Sequence, residues 1–274
     1  MFSAPDSATT ARMRTARTVA CRKLDVHEAD GGSVWGYAGR TLSGPVTASH
    51  GRCWLRLVAE RPNRAQGKLW DGPRLAHEMF PKAIPRPMLH NIHDWQSDGW
   101  AYRAELYEYT NTNVISRSPV LEKDPVLPDH WWTDLRDALD ALPLVPVDRI
   151  AVREEYIRRT VPEFTGRTVD TIEWSTAHGD FHWANLTGPP LRILDWEGFG
   201  RAPVGFDAAL LFIYSLNTPM TADRVRATFA HVLGTPTSRV AELTVCAQVL
   251  QAADRTPFYA SLGHAVRAYL TSAA

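Results

Sequence analysis

Short alternating runs occupy the first half of the chain, and longer helical periods fill the second. Ser33 to Leu42 reads as a strand. Ser43-Gly44 is expected to turn, with Pro45 to Ser49 returning and His50-Gly51 turning again. Arg52 to Glu60 alternates bulky apolar with polar side chains, the period of a half-buried strand. A weakly helical Asp71 to Phe80 follows, closed by Pro81. Pro87 to Trp95 and Trp100 to Thr110 then read as two more strands. From there the period changes. Trp131, Leu135, Ala138, Leu139 and Leu142 recur at helical spacing, with Asp129 as a cap and Pro143 and Pro146 as stops. Thr221 to Leu233 and Ser238 to Ala253 repeat the pattern. Only Glu173 to Trp196 interrupts it, as a strand, a loop and a hairpin around Gly188-Pro189-Pro190. A β-rich half before an α-rich half predicts an α+β fold with two lobes.

Composition narrows the picture. The chain has 274 residues, 45% apolar and 22% charged, enough for a sizeable core. Thirty basic and thirty acidic residues cancel, which argues against a protein built to grip nucleic acid or an anionic membrane. The longest apolar run, Ala208 to Tyr214, is seven residues, far below the roughly 20 of a spanning helix. Residues 1–25 are rich in Ala, Ser, Thr and Arg and poor in acid. That composition predicts a disordered extension, although a transit peptide shares it. Three cysteines, Cys21, Cys53 and Cys246, include no CxxC pair. This argues against a disulfide framework or zinc knuckle and for a reducing cytoplasm.

The chemistry lies in Ala177 to Leu211. His178-Gly179-Asp180 is followed by Asn185, and ten residues later Asp195 opens D-W-E after the apolar run Leu191 to Leu194. Asp207 comes twelve residues further on. Phosphoryl transfer needs a carboxylate to orient the acceptor hydroxyl. It also needs a second carboxylate and an amide oxygen to hold Mg²⁺ against the phosphates. Asp180, Asn185 and Asp195 supply those groups in that order. His178, Asp180 and His182 also alternate, so on an extended strand they would share a face, as a hydrolase metal triad does.

This segment, His178-Gly179-Asp180-Phe181-His182-Trp183-Ala184-Asn185 with Ile193-Leu194-Asp195-Trp196-Glu197, resembles the signature of the aminoglycoside phosphotransferase family, which has a protein-kinase-like fold. The strong likeness covers about 35 residues. It implies an ATP- and Mg²⁺-dependent phosphotransferase acting on a hydroxyl of a small molecule. By resemblance Asp180 is the catalytic base, Asn185 and Asp195 are metal ligands, and Asp207 is a buried brace. Residues 26–109 would be a β-rich nucleotide-binding lobe and 110–274 a helical catalytic lobe. Where the fold carries a strand lysine paired with a helix glutamate, the chain has Arg56 and Glu78. Arg56 keeps the charge with a larger planar fork. Glu105 to Tyr109, with Tyr107 at its centre, fits the backbone stretch that would bind adenine. No G-x-G-x-x-G loop is present. That absence and Arg56 leave a second reading, a weakly active or inactive kinase-like protein that binds nucleotide or a partner. The acceptor is not legible. Glu154, Glu155, Asp170, Glu173 and Asp223 could rim a cationic acceptor. Trp131, Trp132, Trp174, Trp183 and Trp196 fit an aromatic wall or, for most of them, plain core.

Overall fold

The structure, a computed structural model, describes residues 3–272. The chain forms two compact units, residues 1–78 with 86–111, and residues 79–85 with 112–274.

The first unit opens with α1 (Ser7–Lys23). The strands β1 (His27–Glu28), β2 (Val34–Trp35), β3 (Thr41–Ala48) and β4 (Gly51–Glu60) follow. Then come α2 (Lys68–Met79), β5 (Leu89–Ser97) and β6 (Trp100–Glu108). The antiparallel sheet runs β1-β3-β4-β6-β5, with β2 also on β3. Strict alternation on β4 sends Cys53, Leu55, Leu57 and Ala59 into the core with Tyr102, Ala104 and Leu106 of β6. The other face carries Arg56 opposite Glu105, and Arg103 opposite Asp94 of β5.

Residues 7–23 form a helix, which corrects the expected disordered extension; Met1 and Phe2 lie outside the described residues. Asp6 caps α1 by accepting the N–H of Thr9 at 2.9 Å. The buried stripe is Met13, Ala16, Arg17, Ala20 and Cys21. Its small residues let the helix lie close on the apolar sheet face, and for the same reason it shows little hydrophobic period. Arg17 can be buried because Glu28 takes the Nε–Nη2 edge of its guanidinium at 2.7 and 2.9 Å, while Nη1 donates to the Leu55 carbonyl and Nη2 to the Pro45 carbonyl, both at 3.4 Å.

The expected Ser43-Gly44 turn is also corrected: both residues lie inside β3, paired with Arg56 and Leu55. The nitrogen of Pro45 faces the gap between the β1 and β2 pairings, so its missing N–H breaks no ladder. Residues 32–33 cross so tightly that a Cβ on Gly44 would stand 2.8 Å from the Gly32 carbonyl oxygen. Glycine is there for close approach.

In the second unit, helices α3 (Asp129–Ala141) and α4 (Glu154–Thr165) precede a two-stranded sheet of β7 (Trp174–Ala177) and β8 (Gly200–Pro203). Helices α5 (Phe206–Ile213), α6 (Pro219–Thr228), α7 (Arg239–Ala253) and α8 (Ala260–Ser272) complete it. Asp129 is the first helical residue of α3 rather than its cap, which is Pro128. All eight residues of α5 are buried, and α7 packs against α4, α5 and α8. Trp131 and Trp183 stack at 6.3 Å, with Trp132 edge-on to both. These three and Trp196 are core, not an exposed aromatic wall. No described helix is long and apolar enough to cross a membrane.

The packing of α1 gives the first prediction. Ala20→Asp buries a carboxylate with no partner, at a cost of about 3 kcal/mol or more. The melting midpoint, followed by circular dichroism, is expected to fall by about 6–12 °C. An unchanged midpoint would show that α1 contributes nothing to the first unit's core.

Candidate functional site

Strand β7 delivers its last residue, Ala177, opposite Gly200 of β8, and the chain leaves the sheet at His178. The next turn is pinned by a carboxylate from α5. Asp207 accepts the N–H of His178 at 2.6 Å and of Gly179 at 2.9 Å. Burial raises the pKa of Asp207, opposed by His178 and by these two amides. Gly179 sits at φ +84°, and a Cβ there would be 2.9 Å from both the Ala151 Cβ and the Gly198 carbonyl oxygen. Only glycine fits that turn.

His178 is fully buried, and both its ring nitrogens are engaged. Nδ1 accepts from the Asp180 N–H at 3.3 Å, which leaves Nε2–H to donate to the Leu194 carbonyl at 2.9 Å. The ring also packs edge-on against Phe181 and Trp196. A ligand lone pair is therefore not available, and the His178/Asp180/His182 metal triad is not formed. His178 instead ties the turn to the residue before Asp195.

Asn185 closes the same loop. Its amide nitrogen donates to the Asp180 carbonyl at 2.9 Å and to the Asp180 carboxylate at 3.3 Å. With both N–H bonds spent on Asp180, the amide oxygen is left for another partner. A hairpin then brings Asp195 back beside Asn185. Leu194 donates to the Asn185 carbonyl at 2.8 Å, and Leu186 bridges Ile193. Asp195 is exposed and adopts φ +60°, a conformation costly for a residue with a Cβ. The structure thus brings Asp180, Asn185 and Asp195 together through one loop and one hairpin.

Asp180 leaves 53% of its side chain exposed, with His182 Nε2 at 3.4 Å from a carboxylate oxygen. Partial burial resists its charge. The hydrogen bonds of His182 and of the Asn185 amide outweigh that, and hold the carboxyl below the usual carboxylate range. His182 Nδ1 is buried without a hydrogen-bond partner among the described residues. Its ring lies 6.2 Å from that of Tyr214, which meets Tyr259 edge-on at 6.4 Å. Burial raises the pKa of both tyrosines, and so does the nearby Asp180 charge. Both hydroxyls keep their protons as donors. Sequence reading missed Tyr214 and Tyr259, because no spacing ties them to the motif.

In the first unit the expected Arg56–Glu78 pair is corrected. Arg56 Nη1 donates to Glu105 Oε2 at 2.7 Å, across the β4–β6 register. Glu78 is exposed on α2 and is held by Arg74, one turn earlier, at 2.8 Å. Glu105 also accepts from the Tyr107 hydroxyl at 3.0 Å. Glu105 is therefore a fully buried mid-strand side chain, not part of a backbone linker, since β6 continues to Glu108. Its other oxygen, Oε1, has no hydrogen-bond partner among the described residues.

An antiparallel sheet followed by a helical unit is an arrangement the chain shares with solved structures of low sequence identity. The chain is similar to a thermostable mutant of aminoglycoside phosphotransferase APH(4)-Ia in its apo form. The TM-score is 0.56 and the identity 13%, covering 94% of this chain and 99% of that one. The microcompartment-associated aminopropanol kinase matches at TM-score 0.52 and 11% identity, over 94% of this chain and 98% of that one. Spectinomycin phosphotransferase APH(9)-Ia, in complex with ADP and spectinomycin, matches at 0.50 and 13%, over 93% of each chain. No protein-family model and no curated protein sequence matches the chain.

Gly179 supplies a prediction independent of activity. Gly179→Ala forces a left-handed alanine against two atoms at 2.9 Å. It is expected to cost about 2 kcal/mol or more in urea unfolding. Gly188→Ala, where a Cβ meets nothing within 4 Å, is expected to stay within about 0.5 kcal/mol of wild type. Equal stabilities for the two variants would contradict the pinned turn.

Proposed function

We propose that the protein is an ATP- and Mg²⁺-dependent phosphotransferase that moves the γ-phosphoryl group to a hydroxyl of a small molecule. The observation that carries this reading is the Asp180–Asn185–Asp195 arrangement. It joins an ionised, half-exposed carboxylate to an oriented amide oxygen and a second exposed carboxylate.

Asp180 is the base in this reading. Its depressed pKa keeps it ionised at neutral pH, ready to accept the hydroxyl proton. The acceptor oxygen bonds to the γ-phosphorus as the β–γ bridge breaks, ADP leaves, and the proton passes to Asp180. His182 and the Asn185 amide hold the carboxylate in place, so little reorganisation is needed. Asn185 and Asp195 would hold Mg²⁺. An amide oxygen and a carboxylate are hard oxygen donors that suit it, and Asn185 already turns its nitrogen away. When bound, the ion neutralises charge on the phosphate oxygens. Arg56, backed by Glu105 and Tyr107, is the cation assigned to the nucleotide phosphates. Tyr214, Tyr259 and His182 border Asp180 and would contact the acceptor.

The test combines melting and turnover. Saturating Mg·ATP is expected to raise the wild-type midpoint by about 5–10 °C. The rise should need Mg²⁺ and vanish in Asp195→Asn. Asp180→Asn is expected to keep the rise while lowering the transfer rate to an accepted alcohol by about 10²–10⁴. Full turnover in Asp180→Asn would remove the base assignment. A midpoint indifferent to Mg·ATP would overturn the nucleotide reading, and a rise without turnover on any alcohol would favour an inactive nucleotide-binding protein.

A further inference from the structure

A second cluster of chemically reactive side chains lies in the first unit. His50 in the β3–β4 turn, Cys53 near the start of β4 and His90 in β5 place their ligand atoms within 4.8 Å of one another. Cys53 Sγ and His50 Nε2 are 3.3 Å apart, and the His50 and His90 rings meet edge-on at 5.2 Å. We propose that His50, Cys53 and His90 form a binding site for a single Zn²⁺ ion.

The geometry is close to what the ion requires. Tetrahedral zinc with bonds of about 2.3 Å to sulfur and 2.0–2.1 Å to nitrogen spaces S and N by about 3.6 Å. The Cys53–His50 pair is already near that distance. His90 is exposed, so its side chain can take up the remaining adjustment without disturbing a core. Two imidazoles and one thiolate are the borderline-soft donors that favour zinc over Mg²⁺ or Ca²⁺. Three protein ligands leave the fourth position to water.

The fold builds this site deliberately in one respect. The β5–β6 register shifts between Leu89 and Asn91, and His90 is the extra residue of that bulge. A bulge of this kind re-aims a side chain. Cys53 lies on the face opposite Arg56, because adjacent strand residues point to opposite sides. The cluster is therefore separate from the Arg56–Glu105 pair. Glu108 stands directly across from Cys53 in the β4–β6 register, which adds negative charge on the same face. Zinc binds sulfur as the thiolate, so its binding should displace the Cys53 thiol proton to solvent. An occupied site would clamp the β3–β4 turn to β5 on the far side of β6.

The test uses the full-length protein, stripped with chelator and titrated with Zn²⁺ against a chromophoric competitor. One equivalent is expected, with about one proton released per ion in weak buffer. Co²⁺ in place of Zn²⁺ is expected to give an intense near-ultraviolet thiolate-to-metal band. Cys53→Ser should abolish that band, whereas Cys21→Ser and Cys246→Ser should keep it. His50→Ala and His90→Ala, both at exposed positions, should each weaken Zn²⁺ binding at least about tenfold. They carry the test even if Cys53→Ser fails to fold. Binding without a thiolate band, or unchanged affinity in both histidine variants, would overturn the proposal, as would the absence of any equivalent bound at micromolar zinc. None of these readouts depends on phosphoryl transfer.

Discussion

The candidate catalytic loop depends on one buried carboxylate. Asp207 takes the backbone N–H groups of His178 and Gly179 on its two oxygens. Those two bonds set the left-handed turn at Gly179, which in turn sets where Asp180 lies beyond the end of β7. They also orient His178, whose ring reaches the Leu194 carbonyl and so fixes the hairpin that presents Asp195. A carboxylate in this position satisfies two amides that would otherwise be buried without acceptors, at roughly 1–3 kcal/mol each. It sits on α5, a helix apolar on every side and held by α6 and α7. The chain therefore joins a fully buried helix to the candidate catalytic loop by two short backbone-to-carboxylate contacts.

The first unit solves a different problem with the same economy of contacts. One sheet face is apolar and covered by α1; the other carries ion pairs. Arg56–Glu105 is the more buried of these, and its energetic meaning is asymmetric. The pair itself adds little net stability, because two desolvated charges roughly offset their attraction. Loss of one partner, however, strands the other. That asymmetry keeps the arginine and the glutamate together. A guanidinium has five N–H donors in a planar fork, and Arg56 gives one of them to Glu105 at 2.7 Å. Here the partner comes from the adjacent strand, and Glu78 is left to a solvent-exposed pair with Arg74.

How much could be read from the residues alone varied with distance along the chain. Asp180, Asn185 and Asp195 lie within sixteen positions, and their chemistry is local: a loop closed by its own amide and a hairpin that returns beside it. Their spacing was legible in the residues, and the fold brings the three into one loop and one hairpin. The α+β order, β4 and α3 were legible for a similar reason, since their periods of 2 and 3.6 are written directly into the apolar positions. Helix α1 was not, because a stripe of alanines with a buried arginine has the composition of a disordered tail. It becomes a core element only when a sheet face is placed against it. Tyr214 and Tyr259 were equally silent, being forty-five positions apart and brought together only by the tertiary fold.

The sequence by itself determined the class of fold and the order of the candidate site residues, because short-range spacing and periodicity decide those. The tertiary structure alone decided which charges meet. Register across β4 and β6 paired Arg56 with Glu105, and a bulge in β5 swung His90 toward His50 and Cys53. Such pairings depend on strand order and register, which bring residues forty or fifty positions apart within a bond's reach. No local pattern records that, because a shift of one residue would send every side chain to the opposite face.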